Sequence, residues 1–190
     1  MKPKDEKKIR QIFSATLKLV HENGLAGITM GEIARAARIA TGTLYIYFKN
    51  KNDLINALFT DCRKNAVNIY FKNYNESDPF KKGFRVIWLN LLKFRMEHFE
   101  QAVFVDQCHH SPFITETTKE ITRKMIQPLY KLVERGKKEG LLKDWDNTLL
   151  LTFMVGGINE FIKYSKYSGK KISRPQIEQM FQLCWDALKV

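Results

Sequence analysis

Two short stretches gather side chains able to do chemistry. Asp106-Gln107-Cys108-His109-His110 sets four possible metal ligands within five residues. Adjacent residues of a helix point about 100 degrees apart, whereas ligands for one ion usually come at i and i+4 or from a turn such as Cys-x-x-Cys. The run therefore reads as structural or pocket-lining, and neither a metal nor a cofactor is expected. Hydrolase elbow, phosphate-binding loop and dinucleotide glycine pattern are all missing from the sequence, so it offers no catalytic constellation and no enzyme is expected. The second stretch is Ala40-Thr41-Gly42-Thr43-Leu44-Tyr45-Ile46-Tyr47-Phe48. As a short helix it turns Leu44 and Phe48 inward and leaves Thr41, Thr43, Tyr45 and Tyr47 largely on the other side. Hydroxyls on an exposed short helix suit the DNA major groove, where they can reach base edges.

The flanking residues are those needed to position such a helix. Thr29-Met30-Gly31-Glu32 has the spacing of a capping box, which starts a helix at about Met30. Met30, Ile33, Ala34 and Ala37 fall on one face of it, and it is about two turns long. Upstream, Ile9, Ile12, Phe13, Thr16, Leu17 and Val20 mark an amphipathic helix that begins after Pro3 and stops at Asn23-Gly24. Leu25 and Ile28 close the small core. Downstream, Asn50-x-x-Asp53 is a cap for a long helix carrying Leu54, Leu58, Cys62, Val67 and Ile69. Lys51 stands at the positive end of that helix, which suits a phosphate clamp.

Thr29, Ile33-Ala34, Ala37, Gly42-Thr43-Leu44-Tyr45, Tyr47-Phe48, Lys51 and Leu54 together resemble the helix-turn-helix signature of the tetracycline-repressor (TetR/AcrR) family, over roughly residues 7 to 58. A dozen positions agree at fixed spacing without a gap. The resemblance implies DNA-binding roles for Thr29, Arg38, Thr41, Gly42, Thr43, Tyr45, Tyr47 and Lys51. Of these, Thr29 and Lys51 would meet phosphate, and Gly42 would let the backbone approach the sugar-phosphate chain. Thr41, Thr43, Tyr45 and Arg38 are the residues placed to reach bases. Members commonly carry Gly where this chain has Arg38 and a Ser or Thr cap where it has Ala40. A side chain in a left-handed turn costs about 1 kcal/mol, and an Ala cap costs about as much unless Thr41 substitutes for it.

Composition agrees with a polyanionic partner. The chain has 190 residues, 44% of them hydrophobic, enough to bury a core without disulfide or metal. Its formal net charge is +12. Residues 1 to 51 hold ten Lys or Arg against four Asp or Glu, a surplus of six on the segment suspected of touching DNA. Cys62, Cys108 and Cys184 are far apart and odd in number, which fits no disulfide framework and points to the cytoplasm. Signal peptide, membrane anchor and bilayer-spanning apolar run are not evident.

The remaining two thirds read as helices without a motif. Pro79 opens one that runs to about Glu97, with Phe84, Ile87, Trp88, Leu91, Leu92 and Phe94-Arg95-Met96 on an aromatic inner side. A short helix follows from about Phe99 to Cys108, and Ser111-Pro112 is expected to start the next, which ends at Gly136 or Gly140. Pro128 should kink or break it. From Asp146 to Tyr164 apolar residues surround most of the helix, so it must be covered on two sides. Ser173-Arg174-Pro175-Gln176 caps the last helix.

These features predict an all-α fold of about nine helices. A DNA-binding helix-turn-helix head over 1-50 would be followed by a ligand-binding and dimerisation body over 51-190. The last two helices have more apolar face than one subunit can bury, and Gly156-Gly157 would allow close helix approach, so a homodimer is expected there. A small, largely apolar effector is expected among Trp88, Leu92, Met96, Phe104, Gln107, Cys108, Met125, Leu129 and Phe153, with Gln107 to His110 as a polar patch that could orient it. The expected function is a DNA-binding repressor on a palindromic operator, released by that effector. The alternative is an all-helical protein whose body is an enzyme or an obligate partner module.

Overall fold

The computed structural model describes residues 5-109 and 111-190; Pro3 and His110 lie outside them. Among the described residues it is all helical, with α1 Glu6–Asn23, α2 Met30–Ala36, α3 Thr41–Tyr47, α4 Lys51–Tyr70, α5 Phe80–Glu97, α6 Phe99–His109, α7 Glu116–Lys138, α8 Asn147–Ser168 and α9 Arg174–Leu188. The expected all-α class and the number of helices are borne out. Packing divides the chain into two compact units, residues 1-64 with 98-122 and residues 65-97 with 123-190, so that α4 and α7 each contribute to both.

The first unit is built on α1. Ile12, Thr16, Leu17 and Val20 are buried on one side of it, as their spacing requires. Gly24, at φ 72°, ends the helix in a conformation that few side chains adopt. Leu25, Ile28, Ile33, Ala34, Leu44, Leu54 and Leu58 complete the core begun by α1. Phe13 of α1 meets the Phe48 ring at 5.8 Å. The helix α6 packs in this same unit, and Phe104, Val105 and Cys108 join its core. His21 and Phe99 make an edge-on ring contact at 5.9 Å between α1 and α6.

In the second unit α5 supplies the aromatic centre. Phe80, Phe84 and Trp88 are at most 2% exposed. Phe84 stacks at an angle on Phe181 and Trp185 of α9, and Trp88 meets Phe181 edge-on at 5.5 Å. Two of the sequence boundaries shift. Ser111-Pro112 does not open α7; residues 111-115 form a connection, and the Thr115 hydroxyl accepts the Thr118 N–H at 3.2 Å to cap a helix that begins at Glu116. Pro128 does not break α7, which continues to Lys138. Proline removes one hydrogen bond, and Leu129, Leu132 and Val133, buried in the turns after it, hold the helix together.

Candidate nucleic-acid interface

The first short helix, α2, begins as its residues demand. The Thr29 hydroxyl accepts the Glu32 N–H at 3.3 Å, and a Glu32 carboxylate oxygen accepts the Thr29 N–H at 2.8 Å and its hydroxyl at 2.7 Å. The Thr29 hydrogen bonds hold the Glu32 carboxyl below the usual range. At the other end, Arg38 N–H donates to the Arg35 carbonyl and Ile39 N–H to the Ala34 carbonyl, both at 3.0 Å. That pair of bonds is a Schellman motif, and it puts Arg38 at φ 53° in the left-handed region. The Gln11 side-chain amide of α1 donates to the Ala37 carbonyl at 2.6 Å, fixing the turn from outside.

The turn delivers the chain into α3. Ala40 is its N-cap and offers no side-chain hydrogen bond, nor does Thr41 take over that role. Leu44 is fully buried and Phe48 nearly so, which anchors the inner side of α3. Thr41 and Gly42 are exposed, Thr43 is half-buried, and Tyr45 is 51% exposed. Tyr47 is half-buried against the core, closer to a packing residue than its hydroxyl suggested. Beyond its chain neighbours and the backbone of its own helix, nothing lies within 4 Å of where a Gly42 Cβ would stand, so packing within the chain does not require glycine there.

Ile46, which has no hydroxyl, is outside the set of residues expected at the interface. It is 73% exposed between the two tyrosines, and an apolar side chain turned to solvent on a short helix is the signal that could have singled it out. Lys51 opens α4, whose cap forms as expected: Asn50 accepts the Asp53 N–H and Asp53 accepts the Lys49 N–H, both at 2.9 Å. The Lys51 ammonium donates to the Ala26 carbonyl at 3.1 Å. Partial burial lowers its pKa from the ordinary lysine value, while Glu32 acts in the opposite direction. Thr29, Arg38, Thr41, Gly42, Thr43, Tyr45, Tyr47 and Lys51 thus all belong to the first unit.

The nine candidate ligand residues separate. Phe104, Gln107 and Cys108 belong to the first unit, where Phe104 and Cys108 are core and Gln107 is exposed. The other six belong to the second unit. Leu92 and Leu129 are buried there, Met125 is half-buried and Met96 is exposed. Trp88 and Phe153 line a concavity of about 440 Å³ together with Ile158, Phe161, Met180 and Cys184. The Trp88 indole N–H is buried without a well-formed hydrogen bond. It lies near the Cys184 thiol, which burial pushes up to about 11 against the opposing effect of that N–H. Among the described residues, His, Cys, Asp and Glu side chains form no group of three that could hold a metal ion.

A bundle of short helices around α1, joined by a Schellman turn and displaying the outer side of α3, is a helix-turn-helix head of the kind carried by transcriptional regulators. Two family models match the chain: "Bacterial regulatory proteins, tetR family" over residues 12-58 and "Tetracyclin repressor-like, C-terminal domain" over residues 79-189. The chain is 25% identical over 179 residues to an uncharacterised helix-turn-helix-type transcriptional regulator of Haemophilus influenzae, covering 94% of both chains. It is 26% identical over 153 residues to the Bacillus subtilis regulator YhgD, covering 80% of this chain and 79% of that one. The crystal structure of a TetR family transcription regulator from Marinobacter aquaeolei superposes with a TM-score of 0.90 at 26% identity, over 100% of this chain and 99% of that one. The chain belongs to the TetR family of DNA-binding transcriptional regulators.

Proposed function

We propose that this regulator is a cytoplasmic repressor that binds a palindromic operator as a homodimer and is released by a small, largely apolar ligand. Residues 1-50 supply the operator-reading head, and 51-190 carry ligand binding and dimerisation without catalysis. The observation that carries the reading is the outer side of α3. Its inner residues Leu44 and Phe48 are buried in the core, while Thr41, Gly42 and Tyr45 are left facing outward. The open space over Gly42 suits close passage of a sugar-phosphate chain. Thr41, Thr43, Tyr45 and Arg38 then read bases, Tyr47 supports them, and Thr29 and Lys51 hold phosphates.

Dimerisation through α8 and α9 is supported by Leu149, Phe153 and Leu183, which are 54%, 55% and 72% exposed. Gly156 and Gly157 have open space where a Cβ would stand, so a neighbouring helix can come close. The concavity around Trp88 and Phe153 adjoins the same helices and is the site we assign to the ligand. A ligand seated there changes how two copies meet and hence the separation of their heads. A coupling of about 1 to 3 kcal/mol lowers operator affinity about 5- to 150-fold, and by linkage the operator lowers ligand affinity by the same factor.

The test is selection of bound duplexes from a random library by the purified protein. Enriched sequences should have two-fold symmetry, with half-sites in successive major grooves. Tyr45→Ala and Thr43→Ala should then weaken binding to the selected duplex more than to mixed-sequence DNA. Failure to enrich any sequence, or equal losses on both duplexes, would overturn base reading by α3.

A further inference from the structure

We propose that Phe113, in the connection between α6 and α7, is a positioning residue for the phosphate contact of Lys51. The inference rests on the reading of Lys51 as a phosphate ligand. The Lys51 ammonium stands 5.0 Å from the centre of the Phe113 ring while donating to the Ala26 carbonyl. One face of the cation is therefore held by a carbonyl and another by the negative face of an aromatic ring. A lysine on four flexible bonds otherwise loses much side-chain freedom when it docks on a phosphate. Here that ordering is already done in the folded protein.

The ring is itself held by a clamp on the same helix as the lysine. Asn56, about a turn and a half beyond Lys51 on α4, uses both ends of its amide. Its Nδ2 donates to the Phe113 carbonyl at 2.8 Å, and its Oδ1 accepts the Thr115 N–H at 3.0 Å. The Ser111 hydroxyl accepts the Phe113 N–H at 3.2 Å, and the ring packs half-buried against the core of the first unit. Connection and lysine are thus referred to one rigid element. A segment more than sixty residues after α3 in sequence becomes part of the DNA-facing apparatus without touching DNA.

A purely structural Phe113 and a positioning Phe113 differ in how they combine with Lys51. Affinity for a fluorescein-labelled mixed-sequence duplex is measured for wild type, Phe113→Leu, Lys51→Met and the double variant, with melting by far-UV circular dichroism to confirm folding. Leucine keeps the apolar packing and removes the ring face. In the wild-type background Phe113→Leu should weaken binding by about 2- to 10-fold, the range of a partly desolvated cation–ring contact. In the Lys51→Met background it should weaken binding no further, and Phe113→Trp should bind like wild type. Should Phe113→Leu fail to fold, Phe113→Met takes its place in both backgrounds. An equal loss in both backgrounds, or none in the first, overturns the positioning role and leaves the proposed function standing. If Lys51→Met itself changes neither affinity nor salt slope, the reading of Lys51 falls and this inference with it.

Discussion

Replacing Arg38 by glycine should move stability and DNA affinity in opposite directions. Arg38 follows Ala37, the C-cap of α2, at φ 53°, with its side chain exposed. An L residue held in the left-handed region costs about 1–2 kcal/mol relative to its preferred conformation. Glycine escapes that cost and gives back about 0.5–1 kcal/mol through its greater freedom in the unfolded chain. The net gain is about 0.5–1 kcal/mol, which for a protein of this length raises the melting temperature by about 1–4 °C. Far-UV circular dichroism is the suitable probe, because Trp88, Trp145 and Trp185 all belong to the second unit and their fluorescence would not follow the head. Arg38→Ala is the control: it removes the same charge and keeps the Cβ, so it should bring no gain. Both variants lose a cation that we propose reaches base edges beside α3, so each should weaken binding to the selected duplex more than to mixed-sequence DNA. Equal stability of the alanine and glycine variants would show that the left-handed turn is not strained and would refute the reasoning.

Leu183→Glu should dissociate the proposed homodimer, since it sets a charge on the most exposed apolar side chain of α9; a wild-type monomer in equilibrium sedimentation at micromolar concentration would refute the dimer itself. Gly136→Ala should destabilise the second unit by about 1–3 kcal/mol in urea, because a Cβ there would stand 2.5 Å from Phe80 Cζ and 2.7 Å from Leu142; a neutral effect would mean that the Phe80 ring yields freely. Burial pushes the Cys62 and Cys108 thiols up to about 12 and Cys184 to about 11, from an ordinary 9.0. The native chain then keeps protons that the unfolded chain releases, so stability is intact below about pH 9 and falls toward pH 11–12 by about 1.4 kcal/mol per pH unit for each thiol. Urea unfolding under reducing conditions between pH 9 and 11 should decline less steeply for Cys184→Ala by that amount, and parallel slopes would count against a buried neutral thiol.

What could be read from the chain was what short-range chemistry dictates. The two capping boxes, Thr29 with Glu32 and Ser173 with Gln176, form as written because each needs only residues three apart. Asn50 and Asp53 are legible at the head of α4 for the same reason. Ser111-Pro112 has good local credentials for a helix start, yet Asn56 of α4 captures the Thr115 N–H and the cap of α7 falls four residues later. That bond spans 59 positions, and periodicity carries no trace of it. The ligand set divided between two units for a related reason: an apolar stripe says that a face is covered, not by what. Ile46 has no hydroxyl to mark it in the sequence, and only its exposure sets it apart.

The placement of α6 changes what the head is. In sequence it stands after α5, inside the stretch expected to form the body, but its buried residues Phe104, Val105 and Cys108 share a core with Ile12, Leu44 and Phe59. The helices α1, α2 and α3 do not bury all of their apolar surface among themselves; they share a core with α4 and α6, in keeping with the poor stability of very small cores. Recognition geometry is therefore set by two kinds of contact. Local caps decide where α2 and α4 begin and the Schellman turn how α3 leaves α2, while packing from residues 98-122 decides how firmly α1 and α4 are held. A shift of α6 or of the connection after it acts on the DNA-binding unit from within. The Asn56 clamp is the place where such a shift would meet Lys51, the residue at the start of α4 that we propose as a phosphate contact.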